Sequence, residues 1–151
     1  MRQAVQHHPM PQLSATVSVE IPFHDVDSAG IVWHGYYAKY FEIARCALLK
    51  KIDYNYDRMM ESGLVWPVTD FKMRFLRPAF FDQVVDVTAT LVEWEYRIRI
   101  DYQVSDDEGN VLTRATTDQV PMSMETREMQ LGSPDILLEG VDQALGRLSG
   151  R

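Results

Sequence analysis

HDVDSAGIVWHGYYAKYFEIAR, residues His24 to Arg45, sets two carboxylates, a glycine turn and an imidazole directly ahead of an amphipathic run. Tyr37, Tyr40, Phe41, Ala44, Ala47 and Leu48 recur at helical spacing, which predicts a helix of about 14 to 16 residues with Lys39, Glu42, Arg45 and Lys50 around its other sides. Its broad apolar coverage implies a sheet wrapped around it. A helix start carries unpaired N–H groups and the positive end of a dipole, so a chain arriving through Asp25-Val26-Asp27-Ser28-Ala29-Gly30 brings acidic side chains beside ready-made oxyanion donors. That combination suits acyl transfer.

Working outward, Ala15, Val17, Val19 and Ile21 alternate with Thr16, Ser18 and Glu20, the period-two pattern of a half-buried strand. Beyond the helix, a short helix is expected over Tyr56 to Ser62, ended by Gly63. Phe71, Met73 and Phe75 then alternate with Lys72, Arg74 and Leu76 up to Pro78, which cannot donate to a central ladder. Val85 to Leu91 alternate in the same way. Trp94, Tyr96, Ile98, Ile100, Tyr102 and Val104 share one face, and a last strand is expected from about Val111 to Met124 after a turn at Asp106 to Asn110 in which Gly109 takes positive φ. Ser133-Pro134-Asp135 reads as an N-cap, first-turn proline and first-turn acid for a helix over Ile136 to Leu148. One strand, a long helix and then a run of antiparallel strands give an α+β class, with a sheet of about five strands wrapped around one long central helix.

The 151 residues fit a single domain, expected over 13–130, with a mobile N-terminal tail at 1–12 and a C-terminal extension carrying a short helix at 131–151. A formal charge of −7 argues against general nucleic-acid binding, so a polyanionic ligand must meet a local basic patch. The one cysteine, Cys46, forms no internal disulfide and reads as a small buried hydrophobe. His7-His8 lacks further ligands at a metal-binding spacing. No signal-peptide h-region and no membrane-length apolar run is present, which points to a cytoplasmic protein without a membrane span.

The block Asp25, Asp27, Gly30, Ile31, Val32, Trp33, His34, Tyr37 resembles the opening motif of the hotdog-fold acyl-CoA thioesterases, in the branch of the 4-hydroxybenzoyl-CoA and Tol-Pal-associated enzymes. Trp66-Pro67-Val68, Arg77-Pro78-Ala79 and Glu93-Trp94 extend the likeness. A weaker one, in HGYYAKYFEIARCALL and SGLVWPV, is to thioesterases that accompany aryl-polyene biosynthesis. The resemblance implies a hotdog fold, an acyl-CoA or acyl-carrier-protein thioester as substrate and no cofactor, coenzyme A being part of the substrate. It also implies a homodimer with active sites at its interface, assembling to a homotetramer.

By this likeness Asp27 matches the acid that serves as nucleophile or general base. The alternative is that Asp27 caps its turn through an Asx hydrogen bond. Asp25, two residues away, is assigned a structural role, because neighbours at that spacing in extended chain do not both face one pocket. In relatives the amide at the position of His34 polarises the thioester carbonyl. Gly30 and Trp33 shape that turn, adjacent Gly35 permits close approach, and the His34 imidazole is a candidate for hydrogen bonding or proton transfer. His24 is a weaker candidate, and Ser28 reads as a backbone bonder. Trp33, Tyr37, Trp66, Pro67 and Val68 are the expected acyl-pocket walls. Lys72 with Arg74, and Arg97 with Arg99, are the basic candidates for coenzyme A phosphates, against ordinary pairing with Glu93, Glu95 and Asp101. Glu42 pairs with Arg45 across one turn and stands in reserve as a helix carboxylate. A hotdog dehydratase or hydratase and a non-catalytic acyl-thioester-binding protein stay open as rivals.

Overall fold

Period-two burial dictates the sheet. The computed structural model describes residues 12–150, so the expected tail (Gln12 excepted) and His7-His8 lie outside it. Strands β1 (Ser14–Glu20), β3 (Val68–Phe75), β4 (Val84–Glu93), β5 (Ile98–Ser105) and β6 (Val111–Gln119) form one antiparallel sheet in the order β1-β4-β5-β6-β3. Val85, Val87, Ala89 and Leu91 of β4 and Ile98, Ile100, Tyr102 and Val104 of β5 are buried on one face. Against that face lies α1 (Tyr37–Lys51), burying Tyr37, Tyr40, Phe41, Ala44, Leu48 and Leu49. The Phe41 ring meets the Tyr102 ring at 4.8 Å between centroids. This is the α+β arrangement that the alternation and the long helix led us to expect.

Helix α2 (Tyr56–Glu61) starts at an Asn55 cap whose side chain accepts the Arg58 amide, and the chain leaves it through Gly63 at φ +76°. A two-stranded ribbon, β2 (Leu64–Val65) with β7 (Met122–Ser123), closes over this end. Helix α3 (Asp135–Leu148) buries Leu137, Val141 and Ala144 in the main core.

Three local expectations fail for physical reasons. Trp94 and Tyr96 do not extend β5, because residues 95–97 form a bend held from outside: Ser133 donates its amide to Glu95 O and its hydroxyl to Trp94 O. With its hydroxyl used there, Ser133 does not cap α3, and Pro134 takes the N-cap position instead. The last strand stops at Gln119, since Pro121 has no amide with which to continue the ladder.

Gly140 of α3 rides against the end of α1. A Cβ built there would stand 2.0 Å from the Ile52 carbonyl oxygen, a backbone atom that cannot swing aside. Gly140→Ala is therefore expected to destabilise by about 1–3 kcal/mol, overriding the ~1 kcal/mol that alanine gains in a helix. A lowered thermal midpoint checks it.

Candidate active site

The chain reaches α1 through a pinned loop. Val26 and Val32 bridge antiparallel, Asp27 N–H donates to Ile31 O at 2.9 Å and Gly30 N–H to Asp27 O at 2.9 Å, with Gly30 at φ +79°. The loop is braced by the strand-like segment that follows β3, where Val32 N–H donates to Ala79 O at 2.9 Å and Ile31 bridges Phe80. A 3-10 turn, His34–Tyr36, then leads into α1.

This loop separates the two carboxylates completely. Asp25 is fully buried under α1, accepting Lys39 Nζ at 2.7 Å and the Tyr40 hydroxyl at 2.6 Å. Burial pushes its carboxyl pKa up, but the bonds from Lys39 and Tyr40 and the Lys39 charge outweigh it and hold the group below the ordinary carboxylate value. Burial, together with the bond to Asp25, drives the Tyr40 hydroxyl far upward. Asp25 is thus a fixed anion that ties the loop to the first turns of the helix.

Asp27 faces the other way. It lines a cleft of about 360 Å³ with Ile31, Val32, His34, Tyr37, Phe75, Leu76, Arg77 and Pro78. Its Oδ1 accepts the Ala29 amide at 2.8 Å, the Asx bond of the capping alternative. Its Oδ2 takes no protein donor among the described residues, so one oxygen holds the turn and the other is available to the cleft. The amides of His34 and Gly35 likewise find no protein acceptor among the described residues, as the geometry of a helix start dictates. The His34 imidazole leans on the Trp33 indole at 4.9 Å and faces Phe75 at 6.3 Å between centroids. Burial raises the Tyr37 hydroxyl pKa, keeping that cleft wall neutral.

The structure therefore brings Asp27, His34 and Tyr37 together, with Gly30 and Gly35 in the supporting turns. Several expected neighbours lie elsewhere. Trp66 is buried in the core, donating its indole N–H to the Tyr54 hydroxyl at 2.8 Å, and neither Pro67 nor Val68 lines this chain's own cleft. Trp33 is half exposed and folds over Gly35, whose Cβ would meet that ring at 2.1 Å; the glycine makes room for the indole. Arg99 forms a two-pronged bond to Asp118, at 2.7 and 2.9 Å, and Arg97 binds Glu93 at 3.1 Å and Asp118 at 3.5 Å. The hydrogen bonds from Arg99 hold Asp118 below its ordinary pKa, so both arginines are already matched with acids. Lys72 and Arg74 lie on the outer sheet face, away from the cleft.

Glu42 is exposed and pairs with Arg45 at 3.3 Å, in a shallow outer depression with Lys39 and Cys46. Cys46 is exposed, contrary to expectation, because the sheet covers only one side of α1. His24 is exposed as well, 3.7 Å from Asp25. The residues that sequence reasoning missed are the far wall, Phe75, Leu76, Arg77 and Pro78. Arg77-Pro78-Ala79 carries a family likeness, yet nothing local reveals that the end of one strand faces a loop some fifty residues earlier.

No helix among the described residues is long and apolar enough to cross a membrane, and no cluster of metal-binding side chains occurs among them. The chain is similar to YneP of Bacillus subtilis, a protein named for a proposed acyl-CoA thioesterase activity, with 23% identity over 72% of this chain and 79% of YneP. Its fold superposes on the DHNA-CoA thioesterase of Staphylococcus aureus with a TM-score of 0.77 at 22% identity, covering 90% of this chain and 91% of that one. It superposes on Slr0204 of Synechocystis, a 1,4-dihydroxy-2-naphthoyl-CoA thioesterase, with a TM-score of 0.76 at 20% identity, covering 91% and 99%. Together with the sheet and its helix, these likenesses identify the fold as a hotdog. The profile of the Thioesterase-like superfamily matches residues 21–143, and the chain belongs to that family.

Proposed function

We propose that the protein hydrolyses acyl-CoA thioesters, or those of an acyl carrier protein, to a free carboxylic acid and a thiol. The observation that carries this is the free Asp27 oxygen in an apolar cleft whose adjoining helix start offers the unspent amides of His34 and Gly35. In this reading Asp27 takes a proton from water, whose oxygen attacks the thioester carbonyl carbon, or the carboxylate attacks that carbon itself, giving a mixed anhydride with the acyl group that water then hydrolyses to the free acid. The carbonyl oxygen becomes an oxyanion held by the two amides. The C–S bond then breaks, and the sulfur leaves with a proton that the His34 imidazole relays. Arg77 at the rim supplies a charge for substrate phosphates.

The motif from Asp25 to Tyr37 supports the 4-hydroxybenzoyl-CoA and Tol-Pal-associated branch. The runs around HGYYAKYFEIARCALL and SGLVWPV support the aryl-polyene subgroup within it. We further propose a homodimer, built up to a homotetramer, working in the cytoplasm. The test is thiol release from a panel of aliphatic, aryl and polyenoyl thioesters of coenzyme A and carrier protein. Hydration of an enoyl thioester without free thiol, or tight binding without turnover across the panel, would overturn the reading.

A further inference from the structure

Strand β6 lays Thr113, Ala115, Thr117 and Gln119 along the inner face of the sheet, where all four are buried. A polar group in such a place needs a partner. Thr117 shares a hydrogen bond with the Tyr102 hydroxyl at 3.0 Å, and the Gln119 side-chain amide donates to Trp66 O at 2.7 Å, its Oε1 alone staying unpaired at the far end of the row. Thr113 is the exception: it is fully buried, and its hydroxyl finds no hydrogen-bond partner at all among the described residues. Its cross-strand neighbours are Phe75 on one side and Val104 on the other, so a valine would fill the same space with a methyl group and leave no demand unmet. A hydroxyl kept there costs stability in the free protein.

Against Thr113 stands Tyr37, a wall of the Asp27 cleft. Burial raises the pKa of the Tyr37 hydroxyl, and the Thr113 hydroxyl and the Ala79 amide lie close enough to pull the other way without outweighing it, so the phenol stays protonated. The Thr113 contact does not close into a hydrogen bond of ordinary geometry. An amide N–H cannot accept, and Thr113 accepts from nothing, which leaves the Tyr37 hydrogen for the cleft. The two hydroxyls are an unfinished chain. One acceptor in the cleft completes it, because Tyr37 then gives its hydrogen to that acceptor and takes one from Thr113. A neutral acceptor suits the place: Asp27 lines the same cleft and repels a second anion, and the burial around Tyr37 penalises charge.

We propose that Tyr37, positioned by Thr113 behind it, is the specificity-determining residue of the cleft, donating its hydrogen to a neutral oxygen, hydroxyl or carbonyl, that the acyl group carries beyond the thioester. The inference rests on the thioesterase reading and narrows its substrate class. A hydrocarbon acyl group of the same size would leave both hydroxyls unmet. A site built on hydrogen bonds rejects an analogue that lacks the bonding oxygen far more strongly than an apolar pocket rejects one extra methylene.

The experiment uses the full chain and pairs of coenzyme A thioesters that differ by one oxygen: benzoyl against its ring-hydroxylated forms, and saturated acyl against hydroxyacyl and oxoacyl forms of equal length. In at least one pair kcat/KM should favour the oxygenated member about 10- to 100-fold. Tyr37→Phe should bring that ratio close to one, and Thr113→Val should lower it several-fold, with Thr113→Ser restoring it. In the unliganded protein Thr113→Val should also raise the thermal midpoint by roughly 2 °C or more, since it deletes a buried hydroxyl that has no partner.

A ratio that survives Tyr37→Phe overturns the inference. So does an equal fall for both members of every pair, which would place the Tyr37 hydroxyl on the thioester itself. A Thr113→Val protein that is less stable and keeps the native ratio would make Thr113 an ordinary core residue and remove the chain. Equal rates within every pair for the native protein overturn the inference while leaving the thioesterase reading in place. If no thiol is released from any substrate, the chemistry falls instead, and binding still reads the cleft: the free acids of each pair, titrated by their shift of the thermal midpoint, should show the same preference for the oxygenated member and lose it in Tyr37→Phe. Absence of that preference sinks the inference as well.

Discussion

Asp27→Asn is expected to lower turnover about 10²- to 10⁴-fold with the thermal midpoint unmoved. The two roles of this side chain lie on different oxygens, so the substitution can divide them. An asparagine carbonyl still accepts the Ala29 amide that Asp27 Oδ1 holds at 2.8 Å, and the turn from Val26 to Val32 stays closed. What disappears is the negative charge on the oxygen that faces the cleft, and with it the base or nucleophile. Asp27→Ala removes both functions and should lose stability as well as rate. The loss for Asp27→Asn is expected in kcat with KM nearly unchanged, because the group acts on the reacting carbonyl and contributes little to ground-state binding. Measured by thiol release on the best thioester of the panel, a variant that keeps more than about a tenth of the native rate would assign Asp27 to the turn alone.

The parts of the fold that are legible in the sequence are those fixed by local periodicity. Tyr37, Tyr40, Phe41, Ala44 and Leu48 announced α1, and the helix runs Tyr37–Lys51 with those residues buried. Alternation located β1, β4 and the body of β5, since a half-buried strand writes its burial directly into residue order. Where the reading failed, a partner distant in sequence had taken the group in question. Ser133 resembles a helix cap, but its hydroxyl is spent on Trp94, 39 residues away. Arg97 and Arg99 look like free phosphate ligands until β6 lays Asp118 beside them. Cys46 sits on a stripe that local pattern counts as apolar, yet only the sheet decides which part of that stripe is covered. The cleft behaves likewise: its near wall, Asp27 to Tyr37, is one continuous segment and was readable, whereas its far wall, Phe75 to Pro78, is brought there only by sheet order.

Asp25→Leu should destabilise the protein by about 2–4 kcal/mol, a fall of roughly 4–16 °C in thermal midpoint for a chain of this size. Asp25 is fully buried, and its oxygens are the acceptors for Tyr40 at 2.6 Å and Lys39 at 2.7 Å. Lys39 is about half exposed and regains water when its partner goes, so its share is small. Tyr40 is almost wholly buried, and its hydroxyl would be left without an acceptor, which is the larger cost. Asp25→Asn keeps an acceptor for Tyr40 and should lose less. The same pair of variants has a pH signature. Because the folded pKa of Asp25 lies below its ordinary value of 3.8, the unfolded chain takes up the proton first as acid is added. The contribution of the ionised group is full above about pH 4 and drains away as the pH falls through the folded pKa. Both variants should therefore differ most from the native protein near neutrality and approach it in acid, where Asp25 is protonated in every state. Asp106 and Asp118, also held below their ordinary values, keep some acid sensitivity in all three proteins. Urea unfolding from pH 7 down to pH 3 measures the gap, and a gap that stays constant over that range would show that Asp25 contributes by shape and not by charge.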